Sequence, residues 1–62
     1  MIELESVWYV VVYCKISGNV MSEVLCYDLD GAYQVKDELD LTLDTHAYYT
    51  SIEEDYEEVE ID

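Results

Sequence analysis

Arginine is absent from the chain and lysine occurs only at Lys15 and Lys36, which leaves nothing to line a phosphate backbone, so direct nucleic-acid binding is not expected. Histidine occurs once. Zinc binding or nucleophilic catalysis needs oriented partners for it, and His46 has no cysteine pair, second histidine or activated serine close by in sequence. Cys14 and Cys26 form no C-x-x-C pair and fall far short of the cysteine density of a small secreted scaffold. They read as buried apolar thiols. No hydrophobic run approaches the ~20 residues of a membrane span, and no basic, apolar signal segment opens the sequence. The expectation is a cytoplasmic protein with no cofactor, no metal and no membrane contact. Sixty-two residues accommodate one domain, 1–62, and no second one.

What the chain has in excess is negative charge. Sixteen acidic residues against two lysines give a formal net charge of -14. High net charge accompanies disorder when hydrophobicity is low, but here 52% of residues are hydrophobic and seven are tyrosine, so the chain is expected to fold. Crowding so many like charges onto a small body costs self-repulsion that cations or a cationic partner would relieve.

From Ser6 to Ile16 the chain reads SVWYVVVYCKI, β-branched and aromatic throughout. Trp8, Val10, Val12 and Cys14 fall on one face, and Val7, Tyr9, Val11 and Tyr13 on the other. This is a central strand with a helix over one face; the other face also needs cover, which a second copy would supply. Ser17, Gly18 and Asn19 signal a turn, and Val20 to Tyr27 is the returning strand. With Gly18-Asn19 as a two-residue loop, Cys14 faces Glu23. Asp28 or Asp30 caps a helix in which Ala32, Val35, Leu39 and Leu43 recur at spacings of three and four. Leu39 to Leu43 also alternates with period two, which leaves the end of the helix open. A third strand runs from Ala47 to Ile52, and the acidic segment 53–62 is either its continuation or a tail. The order is β-β-α-β, an α+β fold with one helix packed on a small antiparallel sheet. Its expected core is Trp8, Val10, Val12, Leu25, Val35, Leu39 and Ile52.

Asp28-Leu29-Asp30-Gly31 shares the alternating acids and glycine of a calcium-binding loop, but that alignment puts Cys26 at the first ligand position and Asp37 in place of the last glutamate. A helix N-cap followed by a flexible glycine accounts for it. Carboxylates are plentiful, yet a general acid needs a pocket that raises its pKa, and so short a chain has little volume for one; an enzyme is not expected.

The acidic arrays remain. On an extended segment, alternate residues such as Glu58, Glu60 and Asp62 share a side at about 6.6 to 6.8 Å. Acids three or four apart on a helix lie about 5 to 6 Å from one another. Two such rows on a rigid fold offer a phosphate-like track to a groove lined with lysine and arginine. The tyrosine-rich strand WYVVVYC, the acidic helix and the terminal run EEDYEEVEID resemble, in general character, the small acidic proteins that phages encode to inhibit host nucleic-acid enzymes or defence systems, several of which are DNA mimics. The resemblance implies an inhibitor acting in the host cytoplasm against a basic protein.

The candidate partner-binding residues are Asp37, Glu38, Asp40 and Asp44 from the helix region, with Tyr48, Tyr49, Glu53, Glu54, Asp55, Tyr56, Glu57, Glu58 and Glu60 from the last strand and acidic run. The tyrosines would stack on arginine or fill pockets, adding selectivity to charge. The alternative is an interaction module or homodimer that uses the apolar and aromatic strand face, Trp8, Tyr9, Val11 and Tyr13, while the acids serve solubility. A weaker third reading has calcium or magnesium folding the clustered carboxylates.

Overall fold

The computed structural model describes residues 1–61, and Asp62 lies outside the described residues. Strand β1 (Ile2–Cys14) is followed by β2 (Val20–Cys26), helix α1 (Leu29–Thr42) and β3 (Tyr48–Glu60). The sheet order is β2-β1-β3, with both pairings antiparallel. The fold is α+β with the β-β-α-β order read from the sequence, and β1 is central.

The even-numbered face of the sheet lies under the helix. Val10, Cys26 and Ala32 form its buried centre, with Trp8, Val24, Val35, Leu39 and Ile52 packed around them. Ala32, Val35 and Leu39 follow helical spacing, so one stripe of α1 meets one side of the pleat. Asp28 caps the helix: its carboxylate accepts a hydrogen bond from the Gly31 N–H. A side chain at Gly31 would bring its Cβ to 2.8 Å from that same oxygen, which is why glycine follows here. The helix continues through Leu41 to Thr42, since burying Leu39 against the sheet outweighs the period-two pattern beyond it.

Leu25 departs from the expected core. It is 38% exposed on the opposite face, and Val24 and Cys26 take its place. A bulge beside the turn is the reason. Residues 15–19 all lie outside the strands: the Cys14 carbonyl accepts from the Gly18 N–H (2.8 Å), and the Cys14 N–H donates to the Asn19 carbonyl (2.9 Å). Gly18 supplies the positive φ of 75°. Tyr13 pairs with Val20, but Val12 pairs with Ser22, so a bulge at Met21 shifts the register by one residue. Without that shift Val10 would oppose Glu23; with it Val10 opposes Val24, and Val11 takes Glu23 on the other face. The expected pairing of Cys14 with Glu23 is replaced by Val11 with Glu23. Both cysteines are free thiols. Cys26 sits opposite Trp8, six strand positions from Cys14, roughly 20 Å against the ~6 Å of a disulfide.

β1 and β3 outrun β2. From Trp8 to Tyr13 the sheet has three strands; from Ile2 to Ser6 only β3 accompanies β1, as far as Glu60. This two-stranded arm has no helix above it and stretches the molecule to 47 × 23 × 11 Å. The radius of gyration is 13.7 Å, where a compact chain of this length has about 10.6 Å.

Candidate acidic interaction surface

The β1–β3 ladder runs without a bulge from Ile2 opposite Glu60 to Cys14 opposite Tyr48. Directly opposed residues share a face, so parity sorts the acidic run into two sets. The face away from the helix carries the pairs Glu3 with Val59, Glu5 with Glu57, Val7 with Asp55, Tyr9 with Glu53, Val11 with Ser51 and Tyr13 with Tyr49. Two adjacent strands therefore set Glu3, Glu5, Glu53, Asp55 and Glu57 on one surface, about 6.6 to 6.8 Å apart along each strand. Glu23 joins them from β2, placed there by the bulge. All six are exposed.

Tyrosine rings stand among these carboxylates. Tyr13 and Tyr49 stack, with centroids 5.0 Å apart and planes 19° from parallel. The Tyr13 hydroxyl donates to the Glu53 carboxylate. That hydrogen bond, reinforced by partial desolvation and the negative charge of Glu53, pushes the phenol up to about 12. Tyr9, Val11, Tyr13, Glu23, Glu53 and Asp55 line an open groove of about 360 Å³. Val7 and Val11 lie on this uncovered face yet are only 2% and 3% exposed. Both are buried within the single chain, so their cover does not call for the second copy that the sequence suggested. A groove of rings and carboxylates suits a guanidinium or ammonium group, which gains both charge and π-face contacts.

Cations of the chain itself are elsewhere. Among the described residues the one salt bridge is Lys36 to Asp40, at 2.9 Å on the helix. The Lys15 ammonium donates to the Thr45 carbonyl at 2.6 Å. The acids of the open face are left without an intramolecular counter-charge among the described residues.

The other expected residues are dispersed. Glu54, Tyr56, Glu58 and Glu60 lie on the helix-side face of β3, opposite Trp8, Ser6, Leu4 and Ile2. Tyr48, opposite Cys14, is also on that face, whereas Tyr49 belongs to the open one. Asp37 and Glu38 are exposed on α1 and separated from Glu53, Asp55 and Glu57 by the sheet. Asp40 has a structural task. Its carboxylate accepts from the Thr50 hydroxyl (2.6 Å) and from Lys36, while Lys36 also donates to Thr50 (2.8 Å). The Thr50 hydrogen bond, then Lys36, hold the Asp40 carboxyl below the usual carboxylate range. Asp44 shapes the loop before β3, accepting from the N–H groups of His46, Ala47 and Tyr48. Trp8, expected at a contact in the alternative reading, packs under the helix instead.

Glu3, Glu5 and Glu23 were missed. The signal for the first two was the alternation in Ile2-Glu3-Leu4-Glu5, which matches the alternation in Glu58-Val59-Glu60-Ile61 at the far end of the chain.

Among the described residues no helix is long and apolar enough to cross a membrane. No protein-family model, curated protein or solved structure matches this chain.

Proposed function

We propose that this protein is an acidic inhibitor that occupies the basic nucleic-acid-binding surface of a partner protein and competes there with nucleic acid. The observation that carries this reading is the pairing of Glu5 with Glu57 inside a surface that also holds Glu3, Glu53 and Asp55. Like charges directly opposed on adjacent strands destabilise a sheet. Such an arrangement costs the free protein stability and returns it when a cationic surface covers the carboxylates. The open-face acids run from Glu3 to Glu53, opposite Tyr9, six strand positions or about 20 Å, the rise of about six base pairs at 3.4 Å per step. Tyr9, Tyr13 and Tyr49 add rings that select arginine over a generic positive charge. The partner is a protein whose lysine and arginine side chains line a nucleic-acid groove, in the cytoplasm of the cell where both are present.

The test is capture from a bacterial lysate with the wild-type chain and with a variant carrying Glu3→Gln, Glu5→Gln, Glu53→Gln, Asp55→Asn and Glu57→Gln. A captured groove protein should be lost by the variant, released by duplex DNA, and bound less tightly as salt rises. Its salt slope should be shallower than that of the duplex, because a carboxylate surface releases fewer condensed counterions. A stable species containing partner, nucleic acid and this protein together would exclude groove competition.

A further inference from the structure

The arm leaves backbone groups without partners along one edge of β1. Met1 and Ile61 exchange two hydrogen bonds, at 2.8 and 3.3 Å, and at the other end of the strand Lys15 donates to the Ala47 carbonyl at 2.8 Å. Odd-numbered residues of β1 therefore turn their peptide groups toward β3, and even-numbered ones turn theirs toward the β2 side. The Cys14 bonds to Gly18 and Asn19 follow the same parity. But β2 ends at Cys26, opposite Trp8. Beyond it the N–H and C=O groups of Ile2, Leu4 and Ser6 face an edge where no strand lies among the described residues.

The side chains along this edge alternate in kind. Ile2 and Leu4, 64% and 65% exposed, lie on the helix-side face, and Glu3 and Glu5 on the open face. Tyr27 and Leu29, both exposed, mark the inner end, where the chain leaves β2 for the helix. The outer edge of β3 is different. There the Tyr56 N–H is taken up by the Asp55 carboxylate at 2.8 Å, and Glu54, Glu58 and Glu60 guard the row with charge.

We propose that Ile2–Ser6 is an acceptor edge for an extended segment of the partner protein, about five residues long, that adds as an antiparallel strand in line with β2. The segment alternates cationic and apolar residues. Its cations meet Glu3 and Glu5 on one face, and its apolar side chains cover Ile2 and Leu4 on the other. A second copy of this chain does not fit the charge: it brings a further net charge of -14, and two-fold pairing about Leu4 sets Glu3 against Glu5 of the other copy. The inference rests on the cationic-partner reading and adds to it the place and manner of contact.

The test uses the intact protein and a short synthetic peptide in which lysine and valine alternate, with a second peptide N-methylated at its valines. Amide hydrogen exchange followed by NMR should show protection of Ile2, Leu4 and Ser6 rising about tenfold or more with the first peptide, while the outer edge of β3 is unchanged. N-methylation should weaken binding by about tenfold or more, since it removes hydrogen bonds and leaves the charge. The variant Leu4→Pro loses only an outward-facing N–H, so it should keep its circular dichroism spectrum and lose the protection. Equal binding of both peptides without protection would overturn strand addition and leave surface-charge recognition standing. Binding of neither peptide at low salt would overturn both. If Ile2, Leu4 and Ser6 were protected without peptide, in step with a concentration-dependent dimer in sedimentation, the occupant would be a second copy and the proposal would fail.

Discussion

The two halves of β1 obey the same alternation and meet opposite fates. From Trp8 to Val12 the even positions enter a core beneath α1 and β2 flanks the strand; from Ile2 to Ser6 the even positions Ile2 and Leu4 stay exposed. The covered half is closed by burial, whereas the arm is held by a ladder of backbone hydrogen bonds that must work against Glu5 facing Glu57. A two-stranded ribbon alone is marginal in water. The arm therefore depends on the block that anchors it, and among the described residues nothing of the chain's own covers its acids.

The sharpest way to break this comparison is to truncate an apolar residue in each region. Leu39→Ala removes packing against the core and should cost about 2 to 4 kcal/mol, most of the stability of so small a domain. Leu4→Ala should change stability by less than about 0.5 kcal/mol. Equal losses of melting temperature in the two variants would show that the arm has a core of its own. Next in size is repulsion. Glu5→Gln with Glu57→Gln should raise the melting temperature at low salt by roughly 1 to 5 °C, and the wild type should recover much of that gap as salt is added. A wild-type melting point indifferent to salt would mean that the opposed carboxylates do not burden the ladder.

Charge in the covered block has the opposite sign of effect. Because Thr50 and Lys36 depress the Asp40 carboxyl, its stabilising contribution is present above the ordinary carboxylate range and is lost as pH falls through the depressed folded value. Asp40→Asn should therefore melt below the wild type at neutral pH, and the difference should shrink on acidification well below pH ~4. A constant difference would remove the ionic part of this argument. The smallest effect concerns Tyr13. Its phenol, raised from 10 to about 12, favours folding below pH ~10, and that contribution is lost as pH rises through about 12. Tyrosinate absorbance should show a late-titrating step that is absent in Tyr13→Phe and moves to lower pH in Glu53→Gln.

Much of the covered block was legible because its pattern is local. Trp8, Val10 and Val12 against Tyr9, Val11 and Tyr13 follow from period two alone, and Ala32, Val35 and Leu39 from helical spacing. Leu25 was misassigned because the Met21 bulge is a feature of backbone pairing, and Val-Met-Ser-Glu-Val-Leu-Cys reads equally well in either register. The arm was hidden for a different reason: Ile2-Glu3-Leu4-Glu5 has meaning only beside Glu57 to Glu60, more than fifty positions away. The acids of 53–60 were legible as an array, but their division between two faces, and the separation of Asp37 and Glu38 from Glu53, depend on which partner fixes the parity.

The unbroken β1–β3 ladder also sets an order of events in time. Cys14 and Tyr48 lie 34 positions apart along the chain, and Ile2 and Glu60 lie 58 apart. The shorter loop closes at lower entropic cost, and its end of the ladder is tied to the helix by Thr50 and Asp40. Pairing therefore starts at the tyrosine end and zips outward, each later step bringing acid closer to acid. Fraying runs the same course backward. The arm should be the last segment to form and the first to open, and amide exchange should therefore be faster at Glu3 and Glu5 than at Val11 and Tyr13.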